Sequence, residues 1–293
     1  MEVKDRNGLT EAEFLKQYDP DRYEKPAVTV DMLIFTVNPK KDYALELLLI
    51  ERGGHPYLGK WAIPGGFVEM DESLEEAAAR ELLEETQLSD IYMEQLYTFG
   101  DVGRDPRMRV ISVAYMALVP KEKLKPVAGD DAAKVRWFTV HWEETLAGES
   151  DGIRLWLESE DIDGIGSKSE AEGVDGSKDS VMACSEVSAS ELIRLEEEDI
   201  AFDHQKVIKT ALQRMKNKIE YTDIAFELVG EKFTLTQLQM IYEAILGREL
   251  HKPNFRRSIA EQVEKTEELE TKCSNRPSYL YRKKKQKGGS RYE

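Results

Sequence analysis

A chain of 293 residues with 41% hydrophobic side chains is long enough for two ordinary domains, each with its own core. Its formal net charge of −16 hides an asymmetry: residues 1–200 carry 22 Lys and Arg against 44 Asp and Glu, whereas residues 201–293 carry 19 against 13, which argues against nucleic-acid binding by the front and leaves it open at the back. Cys184 and Cys273 have no His or Cys at ligand spacing, and no signal peptide or apolar run of membrane-spanning length is present. Disulfide scaffolds, thiolate zinc sites and membrane partners are set aside, and a cytoplasmic protein is expected.

Residues 1–25 read as a polar leader. AVTVDMLIFTV (27–37) and YALELLLIER (43–52) are β-rich runs separated by the turn-like NPKKD, so a hairpin is predicted. MRVISVAYMALV (108–119) and AAKVRWFTV (132–140) add strands, giving an α/β domain with a mixed sheet crossed by the helix that follows Ser73. Residues 149–190 shift to Gly, Ser, Asp and Glu, with strand candidates GIRLWLES and VMACSEV. They are read as an acidic inserted hairpin whose tip, residues 164–180, is disordered. Ile208, Ala211, Leu212, Met215 and Ile219 then recur at helical spacing behind Asp203, an expected N-cap. The domain reading is 26–205 and 206–293.

GGFVEMDESLEEAAARELLEETQL (65–88) carries eight acidic side chains. Ser73 and Glu76 form a capping box, so the helix begins near Leu74. At 100° per residue, Leu74, Ala77, Ala78, Glu81, Glu85 and Leu88 share one stripe, which puts two carboxylates in line with small apolar residues facing the sheet. Buried carboxylates require a partner charge, and with Glu84 at the edge of that face the set suits a hard dication such as Mg²⁺.

Gly66, Glu72, Arg80, Glu81, Leu82, Glu84 and Glu85 fall in the pattern G-x5-E-x7-R-E-L-x-E-E, which closely resembles the box of the Nudix hydrolases. The resemblance implies an α/β/α sandwich that cleaves a nucleoside diphosphate derivative with Mg²⁺ or Mn²⁺. It further implies Glu81, Glu84, Glu85 and the Gly65 carbonyl as metal ligands, Glu84, Glu85 and Arg80 as the catalytic set, and Glu72 as a brace. The further base is sought at Asp130 or Asp131. Gln87 departs from the glycine of the box, at a helix end where left-handed backbone is expected at a strain of about 1 kcal/mol. ERGGHPYLGKWAIPGGFVE, FGDVGRDPRMRVISVAY and DIAFDHQKVIKTAL resemble the ADP-ribose branch; Arg52, Arg104 and Arg107 are candidates for diphosphate or ribose contacts, with surface arginines as the alternative, and Trp61 is either a base-stacking surface or, beside a glycine turn, a core residue. His204 is read as a packing or capping residue rather than a catalytic one.

In the last third, Leu238, Ile241, Tyr242 and Ile245 make the apolar face of one helix, which Gly247 ends. Pro253 opens a second, with Phe255, Ile259 and Val263 inward and Arg256 and Arg257 outward. RPSYLYRKKKQK follows as a strand with a basic end. This is the order of a winged helix-turn-helix, and Lys252, Asn254, Arg256, Arg257, Arg276, Arg282 and Lys283 are the expected contacts to double-stranded DNA. A homodimer on a palindrome is expected; the alternative is a helical dimerisation appendage. FTLTQLQMIYEAILGRELHKPNFRRSI resembles the Nudix-related transcriptional regulators, which implies either an ADP-ribose hydrolase fused to a DNA-binding domain or a catalytically silent repressor responding to ADP-ribose or a sugar.

Overall fold

The computed structural model describes residues 3–89, 91–124, 132–145, 153–160, 192–270 and 277–284. In the leader, α1 (Glu11–Gln17) is held by a Thr10–Glu13 capping box and buries no residue. The predicted hairpin is present: β1 (Ala27–Asn38) pairs antiparallel with β2 (Ala44–Arg52), Phe35 opposite Leu47. Next come β3 (Trp61–Ala62), β4 (Gly65–Phe67), α2 (Leu74–Thr86), β5 (Met93–Phe99) and β6 (Val110–Leu118). β6 runs parallel to β1, which demands a long crossover, and that crossover carries α2. β7 (Ala132–Glu144), β8 (Ile153–Glu160) and β9 (Leu192–Leu195) extend the sheet to the order β5-β6-β1-β2-β7-β8-β9, with β3 on β2 and β4 on β1.

Alternation along the strands sorts the core into two layers. Val30, Met32, Ile34 and Leu48 face α2, whose Ala77 and Ala78 are fully buried and let the helix axis come close to the sheet. Leu33, Phe35, Leu47 and Leu49 point the other way, toward α3 (His204–Lys218). The α3 stripe expected from periodicity is buried throughout, and Ile208, Leu212 and Met215 each contribute about 1.5–3 kcal/mol by leaving water.

The C-terminal part comprises α4 (Ile224–Leu228), α5 (Leu235–Leu246), α6 (Lys252–Ile259) and a two-stranded wing, β10 (Val263–Glu270) with β11 (Ser278–Lys283). Thr234 and Gln237 cap α5 at its start, and Gly247 ends it at a φ of 66°. Leu238, Ile241, Tyr242 and Ile245 are buried, and Tyr242 meets Phe255 of α6 edge-on at 5.1 Å. This core is continuous with the sheet layer beneath α3, because α5 packs on both α3 and β2.

Several expectations need correction. GIRLWLES is not part of an insertion that starts at 149: β8 is a strand of the main sheet, with Leu155 and Leu157 alternating into the core. VMACSEV and residues 164–180 lie outside the described residues. The boundary at 205/206 falls inside α3, a helix packed against the sheet as one unit. Val263 is buried, but it opens β10 because α6 has already ended at Ile259. α4, β5 and β10 had no counterpart in the sequence reading. Among the described residues, no helix is long and apolar enough to cross a membrane.

Candidate functional site

The acidic helix starts where its capping box dictates: Ser73 Oγ accepts from Glu76 N–H, and Glu76 accepts from Ser73 N–H at 2.7 Å. Glu81 and Glu85 are each 7% exposed, whereas the Glu84 side chain is 54% exposed. Burial pushes the Glu81 carboxyl above its usual range. Burial, then the charges of Glu81 and Glu84, push Glu85 up to about 7. Glu85 Oε2 is buried and has no hydrogen-bond partner among the described residues.

Arg80 forks Glu72 at 2.8 and 3.1 Å, donates to the Phe67 carbonyl at 3.2 Å and reaches Glu81 Oε1 at 2.7 Å. That guanidinium holds the Glu72 carboxyl below its ordinary range. Only glycine fits at Gly65, where a Cβ would overlap the Val30 carbonyl oxygen, and a Cβ on Gly66 would push the Glu81 carboxylate out of its place. Gln87 takes the left-handed conformation that the departure from the box implied, at φ 58° and ψ 26°, and its N–H closes the helix on Leu83 O at 2.7 Å.

The group implied by this chemistry is a dication, and the residues fit one. Two adjacent buried carboxylates, both pushed toward protonation, with one orphaned oxygen, are what a positive charge would relieve, and an all-oxygen donor set suits a hard ion. As placed, however, no three His, Cys, Asp or Glu side chains among the described residues converge on one point, because Glu84 turns toward Arg80 at 3.6 Å and solvent.

Against the glycine segment of β4 lies a cavity of about 700 Å³, lined by Gly65 and Gly66 but by no residue of α2, and of a size suited to a small-molecule ligand. Arg52, Arg104 and Arg107 all line it, as do Phe67, Phe202 and His204. Arg104 is held by Asp203 at 2.7 and 3.1 Å and by Asp31 at 3.4 Å, and Arg107 by Asp105 at 2.8 and 3.1 Å. The Arg52 Nε donates to the Pro56 carbonyl at 2.7 Å. Trp61 is not a stacking surface: it is 7% exposed and sits edge-on to Phe138 at 4.7 Å, because its pairing opposite Glu51 of β2 turns the ring into the core.

The aromatic surface in the cavity is instead Phe202, with the Arg52 guanidinium 4.9 Å and the Arg107 guanidinium 5.9 Å from its ring, and Tyr57 at 4.7 Å. Sequence reasoning missed it, although an aromatic residue just before an N-cap was a signal. Its φ of 56° is unusual for a residue with a side chain. His204 accepts the Ile63 N–H at Nδ1, 2.9 Å, and burial lowers its pKa, so it packs and anchors as a neutral ring. Asp203 occupies the N-cap position without capping by its side chain, whose oxygens go to Arg104. Asp130 and Asp131 lie outside the described residues.

In the winged-helix part, α6 presents Lys252, Asn254, Arg256 and Arg257 to solvent while Phe255 and Ile259 are buried. The wing differs from expectation. Arg282 pairs with Glu264 across the strands, and Lys283 turns back to Asp223 at 2.9 Å and Glu227 at 3.9 Å, so neither is an unengaged cation. β10 also brings Glu264, Glu267, Glu268 and Glu270. Arg276 lies outside the described residues.

Residues 25–157 match the NUDIX domain model and residues 225–282 the NrtR DNA-binding winged helix domain model. The ADPR-responsive transcriptional repressor NtrR of Acinetobacter baylyi is 33% identical over 280 residues, covering 94% of this chain and 89% of that protein. The chain belongs to the NrtR family of Nudix-related regulators. An ADP-ribose pyrophosphatase of Methanocaldococcus jannaschii is 40% identical over 131 residues, 45% of this chain and 72% of that enzyme. The structure of Shewanella oneidensis NrtR in complex with a 27mer DNA superposes with a TM-score of 0.59 at 27% identity, covering 88% of this chain and 93% of that one. Within the NrtR architecture, the buried carboxylates of α2 belong to the Nudix part and the exposed cations of α6 to the winged-helix part, and α3 and α5 share one buried core.

Proposed function

We propose that this protein is a ligand-responsive DNA-binding regulator whose Nudix domain takes ADP-ribose and, with Mg²⁺ or Mn²⁺, hydrolyses it. The coexistence on one chain of the buried Glu81/Glu85 pair and the exposed basic face of α6 carries this reading.

Glu81 and Glu85, with Glu84 and the Gly65 carbonyl, would hold the dication, which would neutralise the diphosphate and acidify water for attack on phosphorus. Arg80 acts by bracing: it fixes Glu72, the Phe67 carbonyl and Glu81 relative to one another. Arg52 and Arg107 offer cations, and Phe202 an apolar ring, to the nucleotide. In the second domain α6 enters the major groove, with Lys252, Asn254, Arg256 and Arg257 as contacts to bases and phosphates, and a homodimer presents two such helices.

Incubation with Mg²⁺ and ADP-ribose should give AMP and ribose 5-phosphate, and no turnover with either metal across a panel of nucleoside diphosphates would refute the enzymatic half. One observation favours a catalytically silent repressor instead. Arg80 already donates to Glu81 at 2.7 Å, and Glu84 faces solvent, so a site that senses without turning over would need no rearrangement there.

A further inference from the structure

We propose that Arg104 and Asp203 form the contact that couples the cavity to the DNA-binding domain: an anionic ligand that engages Arg104 loosens its fork on Asp203 and thereby shifts α3, α5 and α6. The inference rests on the ligand reading above and adds the route by which occupancy is transmitted.

Arg104 is the cavity arginine whose side chain is nearly buried, at 6% exposure. Two carboxylates share this one guanidinium: Asp203 takes Nε and Nη2, Asp31 shares Nη2, and Nη1 has no hydrogen bond among the described residues. An incoming diphosphate is repelled by both carboxylates and attracted by the cavity arginines; it can reach Arg104 through Nη1 or by taking Nε and Nη2 from Asp203, and either way it draws the guanidinium charge away from Asp203. Asp203 has a second option. It sits at the N-cap of α3 without capping; the His204, Lys206 and Val207 N–H groups already donate to backbone carbonyls, but the Gln205 N–H has no partner among the described residues, and released from Arg104 the carboxylate can turn to it. The residue therefore has two alternative partners, one on the cavity floor and one on the helix, and ligand binding favours the second.

The rest of the path has little slack. The start of α3 is tied to the strand beside the glycine loop, with Ala201 N–H donating to Trp61 O at 2.7 Å and Ile63 N–H to His204 Nδ1 at 2.9 Å. Val207, Ile208 and Leu212 share one buried cluster with Leu238 and Ile241 of α5. The C-terminal end of α5 lies under Trp142 of β7, so closely that a Cβ on Gly247 would come within 3.2 Å of the indole. α5 in turn meets α6 through Tyr242 and Phe255. A shift at the start of α3 cannot be absorbed in loose packing before it reaches α6.

The test uses full-length protein in a metal chelator, ADP-ribose as the probe, and a DNA duplex selected by the wild-type protein from a random pool. ADP-ribose should weaken wild-type DNA binding by roughly 5- to 150-fold. Asp203→Asn should still bind ADP-ribose, at least as tightly as wild type because a competitor for Arg104 is gone, while the effect of ADP-ribose on its DNA affinity falls to about twofold or less. Asp203→Glu, which keeps the carboxylate, should recover part of that effect. An Asp203→Asn protein with the wild-type response would overturn the proposal. So would hydrogen exchange on the wild-type protein in which ADP-ribose alters protection around the cavity but nowhere in α3 or α5, a measurement that stands even where the variant does not fold. If ADP-ribose binds but leaves DNA affinity unchanged, the coupling fails and the ligand reading survives; if it does not bind, both fall.

Discussion

α2 and α6 are both charged helices with an apolar face against a core, and they treat their charges in opposite ways. α2 buries Glu81 and Glu85 against the sheet, where one oxygen has no partner among the described residues, while α6 leaves Lys252, Arg256 and Arg257 in water and buries only Phe255 and Ile259. A buried charge without a full partner is unfavourable until a specific counter-charge arrives, which is why the proposed function puts an ion at α2. Exposed cations carry no such penalty and attract a polyanion over a distance set by salt, so α6 is built for a large reversible partner.

The largest expected effect lies at α2. Glu85→Gln should lower ADP-ribose hydrolysis by about 10²–10³-fold, on the order of the charge stabilisation a metal supplies, and should abolish the rise in Tm on adding Mg²⁺. A variant with wild-type turnover would remove the metal from the account. At α6, the double substitution Arg256→Ala and Arg257→Ala should weaken DNA binding by about 1–3 kcal/mol per arginine and flatten the dependence of log affinity on log salt by about one unit for each phosphate no longer neutralised. An unchanged salt slope would mean that these arginines face away from the phosphates.

A pH series sharpens the contrast further. The Glu85 carboxyl is raised from 4.5 to about 7 in the folded, metal-free protein, so between those values the folded state holds a proton that the unfolded state has released. Its contribution to stability is present in full below about pH 4.5 and is lost as pH rises through 7. Mg²⁺ requires the ionised carboxylate, so the stabilisation it brings should grow over the same interval. Thermal melts with and without Mg²⁺ across this range should diverge upward in pH; parallel curves would contradict the buried-carboxylate reading. The smallest effect belongs to Gln87→Gly, which should relieve left-handed strain and raise stability by about 1 kcal/mol in denaturant titration, with turnover changed little because the carboxylates stay where they are.

Much of this was legible in the order of residues because local rules suffice for it. The capping box at Ser73, the alanines that face the sheet, the left-handed end at Gln87 and the α5–Gly247–α6 succession are all set within a turn or two of chain. What escaped depends on distant partners. Whether Trp61 faces the cavity or the core is decided by its pairing with β2, and Phe202 reaches the cavity because α3 docks beside β3. Arg104 could be read as a cation, but not as one shared by Asp31, far earlier in the chain, and Asp203, far later. β10 was missed because its acidic sequence has no apolar alternation, and it exists as a strand only by pairing with β11.

The central claim is that ligand site and DNA-binding face belong to one packed unit. Linkage makes it testable in one measurement: the affinity of Glu85→Gln protein, which cannot turn ligand over, for ADP-ribose with and without its selected DNA duplex. The account predicts that DNA weakens ADP-ribose binding by the same factor, roughly 5- to 150-fold, by which ADP-ribose weakens DNA binding. Equal ADP-ribose affinities in the presence and absence of DNA would contradict it.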